Sequence, residues 1–350
     1  MNLLRSALEE GRKEWNTVVF LSYAFDWVLL GVGVGVGYVL GEITPNKRPF
    51  ALDDHSIAFP YFSKDTVPGW LLLFCSAAIP VIIIALISLA LAPRGIRGAQ
   101  TVEVWKLKLW EVHVGWMGLA LSLISTWIIT NGLKNMFGKP RPDMLGRCRP
   151  DYANLERYLM GERSPGRDDY LLVSADICTN PDKGTLDDAF RAFPSGHSSI
   201  SAAGLMYLSL FLFAKLTITT PFLIFSGPDT SFLHAPTTTP GISRPEKAPS
   251  PCVSIPAQPR ISAKPLYLLL ISVIPFFAAI FIGSSRWFDY RHQGVDIVSG
   301  FLIGGAAALF SFHYYHVSLA SFRDGGRAWG PRRGRGFWGK VQGARERGWV

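Results

Sequence analysis

Long apolar stretches recur along this chain and constrain its fold more than any other feature. Nearly half of the 350 residues (49%) are hydrophobic and 17% are charged. Six stretches come near the length of about 20 residues that a helix needs to cross a bilayer; they cover residues 18–40, 69–92, 112–131, 198–216, 266–284 and 297–315. Because helices satisfy their own backbone hydrogen bonds in lipid, the sequence predicts an all-α, polytopic membrane protein with six transmembrane helices in one bundle. Buried core helices of a soluble protein are the less favoured alternative.

These stretches divide the chain into three parts: an N-terminal segment (1–17), a six-span domain (18–316) and a basic tail (317–350). The apolar stretch after residue 17 is too long for the core of a cleavable signal peptide, about 7–15 residues, so we expect a signal anchor. The loop at about 217–264 is rich in Pro, Ser and Thr. Such a composition cannot bury a core, and we expect this loop to be disordered.

The distribution of basic residues predicts the orientation in the membrane. Basic residues predominate in the loop 93–111 and in the tail 317–350, whereas the loop 41–68 has more acidic than basic residues. Because Lys and Arg concentrate on the cytosolic side, both termini and the second and fourth loops are expected in the cytosol. The first, third and fifth loops then face the exterior or the lumen of an endomembrane compartment such as the vacuole, Golgi or ER.

The tail also bears on the expected partners. It is rich in Arg and Gly with interspersed aromatic residues, a composition also seen in nucleic-acid-binding segments. Its position beside a cytosolic span end favours contact with anionic lipid headgroups instead. We therefore expect the bilayer and a phospholipid as partners and no nucleic acid, and the oligomeric state stays open.

Four cysteines are separated by this topology. Cys75 lies in the second apolar stretch and Cys252 in the fourth loop, whereas Cys148 and Cys178 share the third loop. Disulfides persist in oxidising compartments, so we predict a Cys148–Cys178 bridge near the site, with two free thiols as the alternative. The sequence has no Cys–His spacing typical of zinc sites, and no metal site is predicted.

Three short segments at the predicted lumenal ends of the spans carry the chemistry. Taken singly, each has an ordinary structural explanation as a turn, a helix junction or a paired histidine. Together they supply three cations, two histidines and a carboxylate, a set suited to phosphoryl transfer without a metal. The segments are Lys134-x6-Arg141-Pro142, Pro194-Ser195-Gly196-His197 and Ser285-Arg286-x5-His292-x3-Asp296, within the candidate catalytic loops 132–197 and 284–296.

The cations are candidate phosphate ligands. Arg binds phosphate oxygens in a bidentate manner and Lys acts as a point charge. Lys134 and Arg141 would lie two turns apart if one helix carried both, but Gly138 and two prolines predict a break near Arg141. Ser195 is a suitable N-cap for the fourth helix, whose free amides would form an anion site.

The histidines suggest a division of labour. His197 lies where it could donate a proton to a leaving alkoxide. His292 and Asp296 are four residues apart and would share a face of a helix. A carboxylate there could hold the imidazole in the tautomer that exposes a nucleophilic nitrogen.

Together the three segments resemble the signature of the type 2 phosphatidic acid phosphatase superfamily, and the layout is similar to its lipid phosphate phosphatase branch. The resemblance runs from the first span to the sixth without a departure in the motifs; the fourth loop and the tail lie outside it. It implies a phosphohistidine intermediate, magnesium independence and no cofactor. It also implies that His292 is the nucleophile, His197 the acid and Asp296 the residue orienting His292, with phosphate bound by Lys134, Arg141, Ser195, Gly196 and Arg286.

The resemblance implies phosphatidate, lysophosphatidate or diacylglycerol pyrophosphate as substrates. A sphingoid-base phosphatase, a polyprenyl diphosphate phosphatase or a phosphoalcohol transferase would use the same site and remains an alternative. A non-enzymatic membrane protein that only binds lipid phosphate is disfavoured, because both His197 and His292 are present.

Overall fold

The computed structural model describes residues 2–91, 101–160, 172–216, 265–317, 319, 328 and 329. The loop 217–264 and nearly all of the tail 317–350 lie outside these described residues. The expected disorder of the loop and the expected contact of the tail with lipid headgroups therefore stay predictions.

Six helices in the described part of the chain are long and apolar enough to cross a membrane, which confirms the predicted all-α, six-span class. They are called the first to sixth spans below. Their bounds are Val19–Glu42, Gly69–Ala90, Val104–Phe137, Gly196–Lys215, Leu266–Phe288 and Gly294–Tyr315.

Two helices continue beyond the apolar stretch that predicted them. The first helix covers Asn2–Glu42 and the third covers Thr101–Phe137. The expected loop 93–111 was therefore wrong over its second half, which is helical. Hydropathy detects only the apolar part of a helix. Residues such as Lys, Leu and Glu are good helix formers, and they extend the helix beyond that part.

The second and fourth spans each contain a π-helical segment, Phe74–Ala78 and Ala202–Met206. These two segments meet where the backbones approach closely. A Cβ on Gly204 would collide with the backbone carbonyl of Ser76, so only glycine allows this crossing.

The fourth span lies in the middle of the bundle and is its most buried helix. It packs against the third, fifth and sixth spans, and the first span packs on the third. An apolar core forms toward the end of the bundle away from the motifs, with Tyr207, Phe211 and Phe312 fully buried. Many large apolar side chains of the first and fifth spans are exposed, as expected for surfaces that face lipid.

The first and third loops fold together above the motif end of the bundle. Strand Phe50–Ala51 of the first loop pairs antiparallel with strand Leu172–Val173 of the third. Short helices fill the rest of this cap: Met144–Cys148 and Lys183–Ala189 are α-helical, and His55–Ile57, Leu155–Tyr158 and Ala175–Ile177 are 3-10. The disulfide between Cys148 and Cys178 is formed within its small core. The cap thus covers the region where the motifs meet.

Candidate active site

All three motif segments meet at one end of the bundle, around a cavity of about 610 Å³. Ser195 and Asp296 lie behind its wall and are fully buried. The other predicted catalytic and phosphate-binding residues line it: Lys134, Arg141, Gly196, His197, Arg286 and His292.

Lys134 and Arg141 reach the cavity from different structures. Lys134 lies in the last turn of the third span, which ends at Phe137. Gly138 has a φ of +53°, and a Cβ there would collide with the Asn46 carbonyl, so glycine is needed where the chain leaves the helix. Arg141 is therefore beyond the helix, as its neighbouring Gly and Pro residues predicted.

The fourth span begins at the cavity wall. Ser195 is its N-cap residue, and the side chain accepts a hydrogen bond from the amide of Ser198 at 3.4 Å. A Cβ on Gly196 would lie 3.1 Å from the Lys134 ammonium, so glycine lets this cation lie against the first helical turn. Helix amides and an ammonium together favour an anion at this place.

His197 is held by a backbone carbonyl from the first loop. Its Nε2 lies 2.9 Å from the carbonyl oxygen of Val67. Because a carbonyl only accepts, Nε2 carries a hydrogen. Nδ1 is then the ring nitrogen left free to contact a ligand.

The expected contact between Asp296 and His292 is not formed, and the prediction that they share a helical face is wrong. The sixth span begins at Gly294, after His292, so the two residues do not share a helical face. Nδ1 of His292 instead lies 2.6 Å from the carbonyl oxygen of Ala192. This carbonyl fixes the hydrogen on Nδ1 and leaves the lone pair on Nε2.

Asp296 instead connects the segments around His292. One carboxylate oxygen accepts from Lys139 Nζ at 2.7 Å, and the other accepts from the amide of Gln293 at 3.0 Å. Its backbone carbonyl accepts from the amide of Ser195 at 2.9 Å. Asp296 therefore joins all three motif segments through bonds that the four-residue spacing did not suggest.

His292 lies in a strongly positive environment. Burial, together with the charges of Arg141, Lys134 and Arg286, holds the pKa of His292 well below its usual value of 6.5. The ring is therefore neutral at neutral pH. A neutral imidazole with a free Nε2 is the nucleophilic form.

Asp188, which was not predicted from the sequence, bridges two arginines at the cavity. Its carboxylate accepts from Arg141 at 2.6 Å and from Arg147 at 2.8 Å. Burial alone would raise the pKa of Asp188, but the charges of Arg141, Arg147 and Lys134 outweigh it and lower this pKa to about 2. Asp188 is thus ionised at neutral pH beside the candidate phosphate ligands, and it holds Arg141 in place.

Tyr61 and Asp65 of the first loop also line the cavity and were not predicted from the sequence. Arg291 forms ion pairs with Asp65 at 2.8 Å and with Asp143 at 3.1 Å. The ring of Tyr61 lies 4.7 Å from the Arg147 guanidinium and 5.2 Å from that of Arg291. The spacing of Asp143 and Arg147 could have indicated their i,i+4 pair, but no local signal relates Asp65 to Arg291.

Within the described ranges, no three His, Cys, Asp or Glu side chains cluster so that they could hold a metal ion. The cavity instead combines cations, helix amides and two histidines with fixed tautomers. This arrangement can bind a phosphoryl group and present one nitrogen to phosphorus and another to a leaving group.

Comparison with known proteins assigns the family. Residues 115–319, more than half of the chain, match the model of the PAP2 superfamily. The chain therefore belongs to this superfamily, and the resemblance predicted from the three motifs is confirmed. No solved structure matches the chain.

Several curated proteins are similar over most of their length. Diacylglycerol pyrophosphate phosphatase 1 of Saccharomyces cerevisiae is 28% identical over 82% of this chain and 77% of its own. Probable diacylglycerol pyrophosphate phosphatase 1 of Schizosaccharomyces pombe is 27% identical, over 83% and 80%. Lipid phosphate phosphatase 1 of Arabidopsis thaliana is 24% identical, over 87% and 71%. These names agree with the predicted class of membrane-bound phosphatase.

Proposed function

We propose that this protein is a lipid phosphate phosphatase that hydrolyses phosphatidate, lysophosphatidate or diacylglycerol pyrophosphate through a phosphohistidine, without magnesium. One observation carries the proposal: a neutral histidine with a free Nε2 lies among three cations at the motif end of the bundle, under the cap. The names of the relatives support the choice of lipid phosphates.

Substrate binding depends on charge. The phosphoryl oxygens take Lys134, Arg141, Arg286 and the first amides of the fourth span as ligands. Arg141 and Arg286 offer planar guanidinium groups, which match phosphate oxygens in geometry. These donors are fixed before the reaction, so they stabilise charge that spreads over the equatorial oxygens in the transition state.

The reaction has two halves. In the first, Nε2 of His292 attacks phosphorus, the bond to the leaving oxygen breaks, and protonated His197 donates a proton from Nδ1 to that oxygen. In the second, a water molecule attacks the phosphohistidine, His197 takes a proton from it, and His292 leaves as inorganic phosphate forms. The carbonyls of Ala192 and Val67 keep each ring in the orientation that its role requires.

The site lies at the membrane boundary, where a phosphate headgroup is found. By the basic-residue rule, this end of the bundle faces the lumen or the exterior. The same pocket would accept a sphingoid-base or polyprenyl phosphate, so the lipid must be identified by assay.

Phosphate release from a panel of lipid phosphates tests the proposal, using the purified full-length protein with excess EDTA. We expect release from one or more glycerolipid phosphates, and an acid-labile phosphoenzyme trapped from substrate labelled at phosphorus. His292→Ala is expected to lose both. His313→Ala is the matched control, because His313 lies near the far end of the sixth span, is half-buried, and its Nδ1 contacts the Leu309 carbonyl of its own helix.

Two results would overturn the mechanism. One is full activity of His292→Ala in EDTA. The other is activity of the wild-type protein that disappears with EDTA and returns with magnesium.

A further inference from the structure

The segment Asp65–Thr66–Val67, called the 65–67 segment below, contacts the site from outside the three motifs. It immediately precedes Pro68, the N-cap of the second span, and lies outside residues 115–319 that match the family model. Each of its residues bonds a different group at the cavity or next to it. A loop that only connected two spans would not need this set of contacts.

Thr66 anchors the segment to the end of the fifth span. Its amide and its Oγ1 donate to the two carboxylate oxygens of Asp289, at 3.0 Å and 2.6 Å. Asp289 is buried and also accepts from Arg286 at 3.0 Å. Two bonds to one buried carboxylate fix both the position and the orientation of the Thr66 backbone.

Asp65 provides the second attachment. Its carboxylate pairs with Arg291 at 2.8 Å and approaches Arg286 at 3.4 Å. Both arginines are almost fully buried, and a buried cation needs a nearby anion. The segment is therefore held at two successive residues by groups of the third motif and its neighbours.

The third residue, Val67, contacts His197 through its backbone carbonyl. Val67 is buried, and its carbonyl oxygen accepts from Nε2 of His197 at 2.9 Å. Rotation of the imidazole would break this bond, and removal of the carbonyl would let either nitrogen carry the hydrogen. The location of the Val67 carbonyl in turn depends on the anchors at Asp65 and Thr66.

We propose that the 65–67 segment is a positioning element that aims Nδ1 of His197 at the leaving oxygen. Thr66 is its key positioning residue, because its paired bonds to Asp289 set the place of the Val67 carbonyl. The segment does not touch the phosphoryl group itself. This inference rests on the proposed function, since it assigns a nitrogen to the proton transfer from His197.

The test uses two substrates that differ only in their need for an acid. One is phosphatidate, and the other is its analogue with sulfur in place of the bridging ester oxygen, whose thiolate leaves without a proton. Thr66→Val removes the Oγ1 donor and keeps the shape of the side chain. We expect kcat for phosphatidate to fall roughly tenfold or more, part of the 10²–10⁴-fold that general acid catalysis supplies. KM for both substrates and kcat for the sulfur analogue are expected to stay within about twofold.

Three further variants complete the design. Thr66→Ser retains the donor and is expected to restore the rate on phosphatidate. Thr179→Val is the matched control, because Thr179 donates through its hydroxyl to Arg149 at 2.6 Å in the third loop, at an exposed position. In a His197→Ala background, Thr66→Val is expected to cause no further loss, because residues acting through one group are not additive.

Equal losses on the two substrates, or a loss that adds to that of His197→Ala, would mean that Thr66 only supports the fold, and the inference would be wrong. An unchanged rate for Thr66→Val would also overturn it. In each case the wild-type protein still releases phosphate in a His292-dependent reaction. A failure of the proposed function, by contrast, shows as wild-type protein without that reaction.

Discussion

The two ends of the helical bundle are built by different forces. At the motif end, charged side chains such as Arg141, Arg286 and Asp296 are buried and paired with groups from distant parts of the chain. At the opposite end, Ile84, Tyr207 and their neighbours form an apolar core. Buried charges are costly unless they are paired in good geometry, whereas apolar side chains need only fill space. Substitutions at the motif end should therefore change the chemistry, and those at the opposite end should change stability.

The largest expected effect tests the apolar end. Phe312 is fully buried, and its ring lies 4.6 Å from that of His316 and 6.0 Å from that of Tyr207, between ring centroids. Phe312→Ala is expected to lower the free energy of unfolding by about 3–5 kcal/mol, because it leaves a cavity. The rate per folded molecule should stay unchanged. Thermal unfolding in detergent and active-site titration measure the two quantities.

Phe310→Ala is the matched control for this prediction. Phe310 is on the same span but is 64% exposed, toward the surface expected to face lipid, so its removal should have little effect on stability. If Phe312→Ala also lowered the rate per folded molecule, the effects of the two ends on activity and on stability would not be separable.

A substitution at the motif end should lower activity and leave stability nearly unchanged. Asp296→Asn removes the charge that holds Lys139, and we expect kcat to fall about a hundredfold, equivalent to about 2.7 kcal/mol in the activation barrier. The cause is indirect, since the carboxylate of Asp296 links Lys139 of the first motif to the turn next to His292, and loss of its charge releases Lys139. Circular dichroism and thermal unfolding should change little, because Gln293 and Ser195 keep their hydrogen-bond acceptors.

Lys139→Met sharpens this prediction because it removes the partner and leaves Asp296 intact. If Asp296 acts through its bond to Lys139, then Lys139→Met shares the defect, and the double variant is no worse than the more damaging single one. If Asp296 oriented His292 by direct contact, Lys139→Met would be nearly as active as wild type. That result would contradict the geometry described here.

The same contrast explains what could be predicted from the sequence. Six spans were predictable because each is a continuous apolar run, and the break at Gly138 and the cap at Ser195 depend on local chemistry. The partners of the buried charges were not predictable. Asp188 lies 47 residues from Arg141 in sequence, and Asp65 lies 226 residues from Arg291.

The error over Asp296 has the same origin. A spacing of four residues predicts a shared face only if a helix covers both positions, and the sixth span begins too late for that. The correct acceptor for His292 is a backbone carbonyl, that of Ala192. Every residue has such a carbonyl, so sequence carries no mark of the one that is used.

The smallest expected effect concerns protonation of His292. Its depressed pKa means that the ring stays neutral as pH falls through 6.5 and gains a proton only at lower pH. Diethyl pyrocarbonate modifies neutral imidazole, so its rate with N-acetylhistidine falls as pH is lowered from 7.5 to 5.5. We expect His292 to keep its rate of modification over this range, within about twofold, and to lose it when inorganic phosphate occupies the site. Peptide mass spectrometry follows the modification at His292 by itself. A rate that fell in parallel with that of N-acetylhistidine would mean that burial and the surrounding cations do not hold the ring neutral, and the charges at the motif end would then not prepare His292 for attack.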